Sequence, residues 1–184
     1  MKSDDELYRM YLSGDKSSYD ELMLRYGDSL TYFLNGYLHN LQDAEDLMIE
    51  SFARIMVKKP AIRPGCFKAY LYKTARNLAT RFHGVKSRIE VFSLEGADME
   101  IGDFLSPEKK IQDGEHKKFL YQCLDRIDAR LKEALWLVYL EKMSYAEAAK
   151  VMGVTTKRID KLLQRGKEHL RKELKKEGIT NAYE

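Results

Sequence analysis

The sequence predicts an all-α protein: two small helical domains joined by an irregular acidic linker, the second ending in a helix-turn-helix. Three observations predict it. Apolar residues recur at helical spacing along most of the 184 residues, and no stretch alternates long enough for a useful strand. Only three prolines interrupt the pattern. From residue 84 to 112 the periodicity lapses into glycines, a proline and scattered acids, too long a connection for the inside of one compact domain. The expected domains are therefore 1–83 and 113–184, with 84–112 between them.

The elements follow in order. Leu7, Tyr8, Tyr11 and Leu12 lie on one face of a first helix over residues 3–13. Ser17 or Ser18 can cap the second, with Glu21 placed to complete a capping box to Ser18. Its apolar positions run from Tyr19 and Leu22 to Tyr37 and Leu38. A third helix starts near Asp43, with Ala44, Leu47, Met48, Ser51, Phe52, Ile55 and Met56 on its apolar side. KKPAIRPG, residues 58–65, breaks the pattern. The fourth helix, about Cys66 to Phe82, carries Phe67, Tyr70, Leu71, Thr74, Ala75 and Leu78. After the linker, Phe119, Leu120, Cys123, Leu124 and Ile127 mark one helix. Leu131, Leu135, Val138, Tyr139 and Leu140 mark another. Ser144 then caps a short helix to about Met152, with Glu147 at the third position. Gly153 turns the chain, Val154 supplies an apolar contact, and Thr155 caps a last helix on Ile159, Leu162, Leu163 and Leu170.

Composition narrows the function. Apolar residues make up 44 % and charged residues 33 %, enough for packed cores under a highly charged surface. No apolar run approaches the roughly 20 residues that span a bilayer. The acidic start, MKSDDELYRM, lacks the apolar core of a signal peptide, so a cytoplasmic protein is expected. The two cysteines, Cys66 and Cys123, have no metal-ligand spacing and are expected as reduced thiols. No nucleophile elbow, phosphate-binding glycine loop or zinc spacing is present, so neither an enzyme, a cofactor nor a metal is expected.

The net charge of +3 conceals an alternation. Asp4 to Glu50 holds eleven acids against three bases, and Arg54 to Arg88 holds ten bases and no acid. Glu90 to Glu115 is acidic again, and Lys150 to Glu177 is basic. A merely solvated surface usually mixes its signs; two separate basic blocks offer two places for a polyanion.

Each block has a chemistry. In the helix after Thr155, Lys157, Arg158, Lys161, Arg165 and Lys167 can reach phosphates or base edges if the helix enters a major groove. In FKAYLYKTARNLATRF, residues 67–82, aromatics interleave with Lys68, Lys73, Arg76 and Arg81. That mixture suits unstacked bases on a single strand, and Asn77 adds an amide for a base edge. Helical spacing equally allows Phe67, Tyr70 and Leu71 to be core. In DAEDLMIESFARIM, residues 43–56, Asp43, Asp46 and Glu50 share roughly one face. Such a face can dock on a basic protein surface or simply be solvated. Carboxylates spread over seven residues of a helix cannot all reach one metal ion.

The order DAEDL with a following E-x-F, then F-x-A-x-L-Y with A-x-N-x-A, then an acidic linker, then a helix-turn-helix resembles a bacterial RNA polymerase sigma factor of the small, extracytoplasmic-function type. The resemblance covers about residues 15–83 and 115–174. It implies that the first domain binds the clamp helices of RNA polymerase core through Asp43, Glu45, Asp46, Leu47 and Glu50. It implies that the same domain holds the −10 promoter element single-stranded through Lys68, Tyr70, Lys73, Arg76, Asn77 and Arg81, Asn77 falling where such factors have a base-reading asparagine. The second domain would bind the −35 duplex through Thr155, Thr156, Lys157, Arg158, Lys161 and Arg165. The acidic linker would thread through polymerase toward the RNA exit path. An anti-sigma factor is a further partner that the type implies, one that can hold such a protein at the membrane until it reaches the nucleoid. Five positions depart from the family pattern: Tyr70 stands for a usual tryptophan, Ile49 for a frequent glutamine, and Asp160, Lys161 and Leu162 for basic-Ser-Arg. Two other readings remain: a helix-turn-helix regulator that never engages polymerase, and a sigma-like decoy for an anti-sigma factor.

Overall fold

The computed structural model describes residues 2–92, 123, 124 and 126–176, and of 83–92 the backbone alone. Among the described residues every regular element is helical. In chain order they are α1 (Asp4–Leu12), α2 (Ser17–Leu38), α3 (Leu41–Lys58), α4 (Phe67–Phe92), α5 (Ala129–Leu135), α6 (Tyr145–Met152) and α7 (Thr156–Lys176). Trp136–Leu140 continues α5 as one turn of wider, π-helical winding. The chain divides into two compact units, the first built on α1 to α4, the second on α5, α7 and most of α6.

In the first unit α2 packs on α1, α3 and α4. Leu22, Leu30 and Leu34 of α2 are fully buried with Leu7, Phe52, Ile55, Leu71 and Tyr72. Side chains of this size each contribute about 1.5–3 kcal/mol when taken from water, so this cluster fixes the helix arrangement. Rings fill its interior: Phe33 lies 5.1 Å from Tyr72, and Tyr8 lies 5.3 Å from Phe67.

The local chemistry at helix ends differs from expectation in places. Ser3 caps α1 in a full capping box with Glu6. The Ser18–Glu21 box does not form, because α2 already begins at Ser17. Asp15 takes over instead: its Oδ1 accepts from the Ser17 amide at 3.0 Å, and its carbonyl accepts from the Ser18 hydroxyl at 2.7 Å. Glu21 turns to Arg25, 3.0 Å away. Helix α3 begins at Leu41, two residues before the expected start, and Asn40 caps it, its side chain accepting from the Asp43 amide. His39 reverses the chain in the left-handed region at φ 50°. The fourth helix passes Phe82 and runs to Phe92, into the stretch read as linker; residues 93–112 lie outside the described residues.

In the second unit α5 packs on α7 through Leu131, Leu135, Ile159, Leu162 and Leu163, all buried. Cys123, Leu124 and Ile127 are buried as expected, while Phe119 and Leu120 lie outside the described residues. The helix expected through Leu140 changes winding at Trp136. Trp136 and Leu137 are buried there, and Tyr139 and Leu140 are turned to the surface.

Candidate polymerase- and nucleic-acid-binding surfaces

The acidic residues of α3 separate into two roles. Glu45 and Asp46 are exposed, with Ile49 beside them 54 % exposed. Asp43 and Glu50 are half-buried. The Arg54 guanidinium donates to Glu50 Oε1 from Nε at 2.9 Å and Nη2 at 2.6 Å. Asp43 sits in the first turn, where the helix dipole favours an anion. Leu47 points the other way, into the core. Beyond Ile49 the outward side carries Ala53, Met56 and Val57, the last 83 % exposed. Met56, expected on the apolar side, is therefore at the surface. The exposed face is acidic at its start and apolar at its end. Of this apolar end, Ile49 and Val57 lie off the apolar stripe that the sequence marks, whereas Met56 lies on it.

Helix α4 sorts its aromatics. Phe67, Leu71, Tyr72, Ala75, Leu78 and Ala79 are buried. Tyr70, Lys73, Asn77 and Arg81 are exposed and follow each other at helical spacing, so they share one outward face. Of the aromatics in FKAYLY only Tyr70 faces outward; Phe67 and Tyr72 are core. Lys68 stands at the flank, its ammonium 5.6 Å from the Tyr26 ring and 5.9 Å from that of Tyr72. Arg76 is half-buried on the same helix. The outward face thus offers an aromatic plane, two cations and an amide along one line.

The second unit carries a well-formed helix-turn-helix. Ser144 caps α6, its Oγ accepting from the Glu147 amide, and the Glu147 carboxylate accepts from the Ser144 amide at 2.8 Å. Gly153 turns the chain at φ 67°, a conformation that costs a side chain dearly, and the Val154 amide closes the turn on the Ala149 carbonyl. Thr155 caps α7, its Oγ1 accepting from the Arg158 amide at 3.2 Å. Thr155, Thr156, Lys157, Arg158, Lys161 and Arg165 are all exposed. Leu162, where the resemblance implies an arginine, is core. Gln164 donates to the Asp160 carboxylate at 3.2 Å. Lys167 is drawn aside: its ammonium lies 4.9 Å from the Tyr139 ring, and a hydrogen bond to that tyrosine holds its pKa above the ordinary lysine value.

Beside the last helix, Arg158, Arg165 and His169 line an open cleft of about 430 Å³ with Asp128 and Arg130. The sequence reading missed Arg130 and His169. The spacing of His169 from Arg158 and Arg165 along one helical flank could have found it; Arg130 comes from another helix and could not be paired from spacing. Among the described residues no group of His, Cys, Asp and Glu is arranged to hold a metal, and no helix is long and apolar enough to cross a membrane.

Comparison with known proteins gives a consistent result. The sequence profile of Sigma-70 region 2 matches residues 22–89, and that of Sigma-70, region 4 matches residues 120–170. The ECF RNA polymerase sigma factor SigE of Mycolicibacterium smegmatis is 29 % identical over 177 residues, covering 92 % of this chain and 68 % of that protein. The RNA polymerase sigma-H factor of Pseudomonas aeruginosa is 25 % identical over 182 residues, 94 % of each chain. The fold is similar to that of the sigma factor RpoE from Bartonella quintana, solved with the anti-sigma factor NepR. The TM-score is 0.67 at 22 % identity, over 85 % of this chain and 96 % of that one. It is also similar to CnrH, solved with the cytosolic domain of CnrY, at a TM-score of 0.66 and 19 % identity over 95 % of this chain and 98 % of that one. Two sigma-70 regions in this order span more than half of a chain whose described elements are all helical and whose relatives are sigma factors; the protein belongs to the sigma-70 family, among the extracytoplasmic-function sigma factors that serve transcription initiation.

Proposed function

We propose that the protein directs RNA polymerase to promoters by reading a −35 and a −10 element, and that it stabilises the melted −10 strand. The observation that carries this reading is the outward face of α4. Tyr70 can stack on an unpaired base, Lys73 and Arg81 can meet its phosphates, and Asn77 can hydrogen-bond a base edge. Lys68 and Arg76 extend the positive field at its flanks. Holding a base out of the duplex costs a few kcal/mol, which stacking and phosphate contacts on this face would offset.

The acidic start of α3 supports docking on the polymerase clamp helices. Glu45 and Asp46 would make the direct contacts with basic partner groups, Asp43 and Glu50 would add to the field, and Leu47 would hold the helix from inside. The −35 duplex would lie against Thr155, Thr156, Lys157, Arg158, Lys161 and Arg165. Domains 1–83 and 113–184 would so divide the promoter between them, with residues 84–112 passing through polymerase. Solved structures of similar fold contain anti-sigma factors, which supports a protein inhibitor as a further partner. The working place would be the cytoplasm, on the nucleoid when active, and no step of the chemistry would belong to this chain.

Run-off transcription with purified core polymerase on pooled genomic fragments tests the reading, comparing wild type with Asp46→Arg. Discrete starts that need the added protein and vanish with the substitution are expected. Duplex binding without initiation would leave a regulator that does not engage polymerase.

A further inference from the structure

Residues 59–66 join α3 to α4, and their shape is set from outside. Lys59 and Gly65 are in the left-handed region, at φ 44° and 72°. Pro60 has no N–H, so the Met56 carbonyl lacks the donor that a helix would supply four residues on. The Tyr11 hydroxyl of α1 donates to that carbonyl instead, at 3.2 Å. The Tyr8 hydroxyl donates to the Pro60 carbonyl at 2.9 Å, and Asp5 accepts from the Gly65 amide at 2.6 Å. The Lys59 ammonium lies 5.6 Å from the Tyr11 ring. Helix α1 is itself tied down: Asp4 is 2.5 Å from Arg25 and also accepts from the Tyr26 hydroxyl. Burial of Leu7 would seat α1 on the core without any of these polar contacts to the segment. The segment exposes Lys59 and Arg63 and lies within the acid-free stretch that continues into α4.

We propose that α1 is a strut for residues 59–66, and that Asp5, Tyr8 and Tyr11 are positioning residues that hold Lys59 and Arg63 for the phosphates of the single strand bound along α4. The proposal rests on the reading of α4 given above. A loop fixed before binding does not lose its conformational freedom when the strand arrives, so its cations contribute more of their attraction. The hydroxyls touch backbone rather than nucleic acid. Their effect passes through the loop.

The test uses the full chain with core polymerase on a promoter recovered by run-off transcription, with 2-aminopurine in the −10 element reporting opening. The Tyr8→Phe/Tyr11→Phe pair is expected to bind core as wild type does and to lower the opening equilibrium about tenfold, as loss of two hydrogen bonds would. Arg63→Ala, a surface change, is expected to lower opening similarly and to reduce the salt dependence by about one phosphate contact, which the tyrosine changes alone do not remove outright. Added to the tyrosine pair, Arg63→Ala is expected to cost less than it does alone. Normal opening by Arg63→Ala overturns the proposal. So does a tyrosine pair that weakens core binding and opening by the same factor, which marks a purely structural role. A wild-type chain that binds core yet opens no promoter instead overturns the reading of α4 on which the strut depends.

Discussion

Gly166 of α7 lies against Leu135 of α5 so closely that a Cβ placed on it would come within 3.1 Å of Leu135 Cγ and Cδ1. Glycine in a helix interior costs about 1 kcal/mol relative to alanine, so the contact has a reason beyond propensity. It lets the last helix approach α5 and sets where its exposed cations stand. Gly166→Ala is expected to destabilise the second unit by about 1 kcal/mol net, overpacking outweighing the gain in propensity. Leu135→Ala alone leaves a cavity worth about 2–5 kcal/mol. The double variant is expected to be more stable than the two losses added together. Urea unfolding of all four proteins, followed by the fluorescence of Trp136, measures this, and strict additivity would count against the contact.

Tyr19 gives the first unit a pH limit. It is buried, its hydroxyl donates to the Phe52 carbonyl, and burial pushes its pKa well above the ordinary tyrosine value. Burial also raises Tyr8, with Tyr70 and Tyr11 adding to the effect. A folded pKa above the unfolded one means stability that is fully present below about pH 10 and is lost as pH climbs toward the folded value. Unfolding free energy of the first unit is therefore expected to fall from about pH 10 upward. Tyr19→Phe is expected to lose about 1 kcal/mol at pH 7 and to show a shallower decline above pH 10, the remaining slope coming from Tyr8. Urea titrations by circular dichroism at several pH values read both slopes. Equal slopes would remove Tyr19 from the account.

The helices were legible because large apolar residues recur at helical spacing, and the caps at Ser144, Gly153 and Thr155 because their chemistry has few alternatives. WLVYL, residues 136–140, carries no polar marker of direction, so nothing in it distinguishes α from π winding. The start of α2 was hidden because Asp15, outside the helix, does the work that Ser18 was expected to do. The site was legible by charge block more than by residue. Leu47 lies inside the acidic motif yet faces the core, and Met56 lies on the apolar stripe yet reaches the surface. Which hydroxyl meets which carbonyl across 45 or 52 residues of chain is tertiary information that no local pattern holds.

Tyr70 and Tyr72 stand two residues apart and face opposite ways, the first 37 % exposed and the second fully buried. Tyr72 also shares a 2.9 Å hydrogen bond with Ser29 and packs on Phe33. Tyr70→Ala is expected to leave the melting temperature within a few degrees of wild type. It is expected to weaken opening of the −10 element about tenfold or more, since base stacking is worth about 1–3 kcal/mol. Tyr72→Ala is expected to lose about 3–5 kcal/mol of stability and to impair core binding and opening together. Tyr70→Trp is expected to preserve opening. If Tyr70→Ala opens promoters normally, the aromatic plane on α4 is not a stacking platform.

Asp160 is the one carboxylate among the exposed cations at the start of α7, and Gln164 fixes it at 3.2 Å. A carboxylate facing duplex DNA repels phosphate wherever it lies, but it accepts well from the exocyclic amine of cytosine in the major groove. The two effects separate by sequence dependence. Repulsion alone predicts that Asp160→Ala strengthens binding to every duplex by the same factor. Base reading predicts stronger binding to unrelated duplexes but a loss of about tenfold in discrimination at one base pair of the −35 element, the size of a single specific contact. We expect the second outcome, because a side chain held by its neighbour loses little freedom on meeting a base. Holoenzyme binding to a −35 element substituted at each position in turn, at fixed salt, decides it. Arg165→Ala on the same duplexes gives the contrast: if it contacts phosphate, its loss is uniform across sequences and lowers the salt slope by about one.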